Sequence, residues 1–96
     1  MIKSNENSIK DVIKELLNAY KLNSKLNETK VISSWEKIVG KIISVHTEKI
    51  YLKKDILFVK FDSAALRNEM LYSKEKLIKM INKEIKKKVI KDIKFI

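Results

Sequence analysis

Apolar residues over the first forty positions recur at helical spacing. Ile9, Val12, Ile13, Leu16, Leu17 and Tyr20 form one stripe, with Lys10, Lys14 and Glu15 on the other side, and Val31, Ile32, Trp35, Ile38 and Val39 form a second. Ser8 followed by Asp11 resembles a capping box for the first helix. The polar stretch with Asn23, Ser24 and Asn27 reads as a break, with Asn27 or a neighbour capping the second helix. The pattern therefore predicts a helical hairpin. It stops at Gly40, the only glycine, because a lone glycine directly after a helical pattern marks a left-handed end that any Cβ would disfavour. Trp35, the only tryptophan, falls where the helical half meets the strand-forming half, so Trp35 and Gly40 are expected to be structural, with Trp35 at the centre of the core.

After a short apolar bridge, Ile42-Ile43-Ser44-Val45, the period changes to two. Thr47 to Lys53 and Ile56 to Phe61 read as strands joined by a tight turn at Lys54-Asp55. Leu57, Val59 and Phe61 share one face and Ile50 and Leu52 meet them, which leaves Lys49, Tyr51, Lys53, Phe58 and Lys60 for the other. Asp62-Ser63 caps a further helix with Leu66, Met70, Leu77, Ile81 and Ile85 on its apolar side. The stripe lapses at Ser73 and Lys74, where a kink or break is expected. Val89 to Ile96 alternates as a third strand, with Ile93 and Phe95 opposite Asp92 and Lys94. The order helix, helix, strand, strand, helix, strand predicts a two-layer α+β fold whose second sheet face is wet. It forms a single domain over residues 8–96 behind a flexible N-terminal arm over 1–7.

Composition narrows the chemistry. The 96 residues include no cysteine and one histidine, His46, so neither a metal site nor any other cofactor is expected, and no convergent set of acid–base groups suggests an enzyme. Without an apolar leader or a spanning segment, the chain reads as soluble and cytoplasmic, with no membrane partner. Formal charge is +10, carried by 21 lysines and one arginine, Arg67. It is concentrated at the end: residues 74–96 hold nine lysines against three carboxylates. Lys76, Lys79, Lys83, Lys86 and Lys87 follow helical steps opposite Leu77, Ile81 and Ile85, which points to a polyanion, nucleic acid first and an acidic membrane surface second, the latter disfavoured because the apolar side of this helix is needed for the core. Tyr51 and Phe58 among lysines on the open sheet face suggest base stacking as a second mode. A lone arginine in so lysine-rich a chain implies a need for a planar fork, either within the protein against Glu36 or Glu69, or against a partner.

Several of these stretches together resemble the DciA-like family of bacterial proteins: Trp35-Glu36-Lys37-Ile38-Val39-Gly40, His46-Thr47, Leu57-Phe58-Val59, Ala65-Leu66-Arg67-Asn68-Glu69-Met70 and Ile93-Lys94-Phe95, in the right order and spacing from about Ser8 onward. The resemblance implies a KH-like fold and a non-enzymatic role as a partner of the replicative DNA helicase during replication, with Arg67 at or near the protein contact. The alternative is a KH-like single-strand DNA or RNA binder unrelated to replication. The glycine-x-x-glycine loop of true KH domains is absent, since Gly40 stands alone, and with no cysteine the zinc-ribbon variants of such proteins do not apply. Ile96 follows the last strand directly, so a helicase contact is expected from the folded domain or the short N-terminal arm.

Overall fold

The computed structural model describes residues 6–96. Most of the arm expected over 1–7 lies outside the described residues, and Glu6 and Asn7 belong to the first helix. The elements are α1 (Glu6–Val39), α2 (Lys41–Val45), β1 (Thr47–Lys53), β2 (Ile56–Phe61), α3 (Ala64–Tyr72), α4 (Lys74–Ile85) and β3 (Asp92–Phe95). The fold is mixed α+β, as the pattern predicts.

One expectation is corrected. The helical hairpin does not form: α1 runs unbroken for 34 residues, with Ser8, Asp11, Asn23, Ser24 and Asn27 all inside it. Asn and Ser disfavour a helix by only about 0.7 kcal/mol or less per residue, against about 3 for proline, so these positions cannot break a rod whose far end is fixed by packing. Mid-helix hydroxyls bond back to the rod, Thr29 Oγ1 to the Lys25 carbonyl at 3.0 Å and Ser33 Oγ to that of Lys30 at 3.1 Å.

Gly40 ends α1 with φ 91° and ψ 165°, a region essentially restricted to glycine, and leads into the single turn and a half of α2. An added Cβ there would meet nothing within 4 Å, so the requirement for glycine is torsional, not steric. The sheet order is β1-β2-β3, with β1 and β2 antiparallel and β2 and β3 parallel. The parallel pair requires a crossover, supplied by α3 and α4. Ser63 Oγ accepts from the Leu66 N–H at 3.2 Å to cap α3, and the helical pattern breaks at Ser73, where the apolar stripe lapses.

Val31 and Trp35 of α1, Met70 of α3 and Leu77 and Ile81 of α4 pack on Leu52, Leu57, Val59, Phe61 and Ile93 of the sheet, with Val89 and Ile90 closing the end. Trp35 is 3 % exposed, and its indole N–H donates to Thr47 Oγ1 at 3.0 Å, whose hydroxyl in turn donates to the Ile43 carbonyl at 2.8 Å. The buried ring is thereby satisfied at the junction of helix and sheet. His46 beside it acts elsewhere. Its Nδ1 pairs with Asp62 at 2.9 Å, and the Asp62 N–H donates to the His46 carbonyl, which locks the open end of the hairpin.

The body is elongated. Its extents are 58 × 24 × 20 Å and its radius of gyration is 17.4 Å, against about 12–13 Å for a compact domain of this length. The excess is α1, whose residues before Tyr20 project beyond the sheet, while Tyr20 and Lys21 already line clefts with Leu52, Lys54 and Lys91.

Candidate nucleic-acid interface

Helix α4 positions the lysine ridge. Leu77 and Ile81 are buried against the sheet, so Lys76, Lys79 and Lys83 stand on the opposite side, exposed. The ridge continues past the helix because Lys86, with φ 64°, turns the chain in a left-handed cap, and Lys87 and Lys88 follow in the same exposed turn. Asn82 holds that turn in shape: its Oδ1 accepts from the Val89 and Ile90 N–H groups at 3.0 and 3.1 Å, and its Nδ2 donates to the Ile90 carbonyl at 2.9 Å. Among the described residues, Lys76, Lys79, Lys83, Lys86 and Lys87 have no ion-pair partner, whereas Lys37, Lys60, Lys74 and Lys91 each hold a carboxylate.

Two of those pairs frame the ridge. Lys37 reaches Glu84 at 2.9 Å and ties α1 to α4. Lys74 reaches Asp92 at 2.8 Å and ties the first turn of α4 to β3, and this contact holds the Asp92 carboxyl below the usual aspartate range, against the opposing effect of desolvation.

The sheet carries a second, separate surface. Tyr51 and Phe58 are directly opposite in the register of β1 and β2, on the face away from the helices, with ring centroids 4.9 Å apart and planes within 8° of parallel. Lys49 lies 5.8 Å from the Tyr51 ring, Lys60 pairs with Lys49 across the ladder, and Lys94 of β3 is opposite Phe58. Both rings are half-buried. In a body 20–24 Å across, this face and the ridge lie on opposite layers. The structure therefore does not bring the two sets of sequence-predicted site residues together.

Arg67 is exposed on α3 and makes no ion pair among the described residues, so the internal bridge to Glu36 or Glu69 does not form. Sequence reasoning missed Asn82 and Lys88. The signal for Asn82 is a single amide within an otherwise apolar and lysine-rich helix, just ahead of a turn that needs acceptors for its N–H groups. Among the described residues no group of three or more His, Cys, Asp or Glu side chains converges, and no helix is long and apolar enough to cross a membrane.

Helices layered on one face of a three-stranded sheet define a class of small two-layer α+β domains. Within that class the chain belongs to the DciA family, since the family described as "Dna[CI] antecedent, DciA" matches residues 8–95, nearly the whole chain. This is a replicative-helicase-associated family, and the protein is a helicase-associated adaptor in that general sense. No curated protein and no solved structure matches the chain.

Proposed function

We propose that the protein is a non-enzymatic adaptor that contacts the replicative DNA helicase and holds nucleic acid, DNA before RNA, along the α4 ridge. Lys76, Lys79, Lys83, Lys86 and Lys87 meet the phosphates and Arg67 meets the protein partner. The observation that carries this reading is the set of five exposed ammonium groups, opposite the buried side of α4 and without an internal carboxylate among the described residues. Arg67, exposed and unpaired among those residues, keeps its fork free for a carboxylate on another chain.

Counterion release makes the reading quantitative. Five contacts to a single strand give a slope of log affinity against log salt of about −3.5, at roughly −0.7 per phosphate. Replacing Lys79 and Lys83 with Gln leaves the core intact and makes the slope shallower by about 1.4. Replacing Lys21 and Lys25 of α1 removes the same charge far from the ridge, and an equal change in slope from that control contradicts a localised site.

A second reading rests on the stacked pair: Tyr51 and Phe58 hold bases of a single strand on the sheet face, independently of replication. The two separate cleanly because they occupy opposite layers. Tyr51→Ala and Phe58→Ala would weaken single-strand binding by about 1–3 kcal/mol for each base stacked, with the salt slope unchanged. The ridge variants would instead change the slope and leave stacking intact.

A further inference from the structure

The projecting part of α1 presents an apolar face that nothing among the described residues covers. Ile9 and Leu16 are 64 % and 65 % exposed, and Val12, Ile13, Leu17 and Tyr20 are more than half exposed. Steps of three and four lead from Ile9, Ile13, Leu16 and Tyr20 through Ser24 and Asn27 to Val31, Trp35 and Ile38, so arm and core share one face of one rod. Residues 6–23 extend about 27 Å at the rise of an α-helix. A helix of this length, with one alanine and with Ile9, Val12, Ile13, Asn18 and Asn23 in it, is marginal alone in water and depends on a surface to pack against.

We propose that this surface is the same arm of a second copy, paired antiparallel about a twofold axis between Lys14 and Glu15. Three observations select that occupant. The six apolar positions are symmetric about that point: Ile9 mirrors Tyr20, Val12 mirrors Leu17 and Ile13 mirrors Leu16, so the stripe is complementary to itself when reversed. A parallel copy is blocked, because the sheet and α4 occupy the same face of the rod from Val31 onward, where a parallel partner would have to continue. The arm from Ile9 to Asn23 is nearly neutral, three lysines against two carboxylates, so two arms approach without the repulsion that the +10 chain would otherwise impose, and a polyanion has little to hold there.

Covering the six side chains on both copies buries on the order of 1,000 Å², the size at which a specific interface becomes credible. The seam ends at Tyr20, which also lines a cleft of about 380 Å³ with Asn27, Lys54 and Lys91.

The test uses the full chain, which has no native cysteine. Sedimentation equilibrium across a concentration series is expected to give a reversible monomer–dimer mass. The double substitution Ile13→Asp and Leu16→Asp is expected to raise the dissociation constant about a hundredfold or more by placing carboxylates at the seam. Trp35 fluorescence reports that the core remains folded in that variant.

Under mild oxidation, Ile9→Cys chains mixed with Tyr20→Cys chains are expected to cross-link to each other, while neither cross-links to itself. A monomer at every concentration overturns the proposal, as does a dimer indifferent to the two aspartates. Self-cross-linking of Ile9→Cys alone would mean parallel pairing and overturns it too. An arm that stays monomeric and becomes protected only when the helicase is added assigns the face to that partner instead.

Discussion

The two ends of α1 carry the same apolar periodicity and meet opposite fates. From Val31 to Val39 the stripe is the core of the domain, with Val31 at 0 % exposure and Trp35 tied to Thr47. From Ile9 to Tyr20 a stripe of equal strength stands in solvent. Periodicity reports which side of a helix must be covered and is silent on what covers it. In the root the cover is the sheet of the same chain. In the arm it has to come from elsewhere, and the reversed symmetry of the stripe suggests a second arm.

The sharpest contrast between the ends is energetic. Trp35→Ala in the root is expected to destabilise the fold by about 3–5 kcal/mol, because it opens a cavity and leaves Thr47 without its donor. A denaturant melt displaced by less than about 1 kcal/mol would contradict the placement of Trp35 in the core. Gly40→Ala, at the very end of the root, comes next, with a loss of about 1–3 kcal/mol that arises from backbone torsion alone. If alanine is tolerated there without change in the melt, the positive φ is not a constraint. Leu16→Ala in the arm, measured under dilute conditions where the protein is monomeric, is expected to change stability by no more than about 0.5 kcal/mol. A large loss in the monomer would mean that the arm packs against its own domain.

Much of the fold is legible in the residues. The two-residue turn between β1 and β2, the face that carries Leu57, Val59 and Phe61, the stop at Gly40, the break at Ser73 and the α+β class all follow from period and from residue types with a strong local preference. The hairpin expected at Asn23–Asn27 does not form, because weak helix-breaking propensities are overridden by a rod held from one end. The lysine ridge is legible as a periodic pattern, and the structure adds that its turn is shaped by Asn82. The separation of the ridge from Tyr51 and Phe58 is not legible, since it depends on which sheet face the helices cover. Neither is the freedom of Arg67, because the carboxylates within reach of an arginine are set by tertiary placement and not by sequence distance.

The most direct measurement is amide hydrogen exchange, resolved residue by residue along α1, at two protein concentrations. Amides from Val31 to Val39 are expected to exchange only through global unfolding at both concentrations. Those from Ile9 to Asn23 exchange quickly in dilute solution and slow markedly as concentration rises. Protection of the arm equal to that of the root in dilute, monomeric protein would contradict this expectation, because the arm would then be covered by its own chain or stable without any cover.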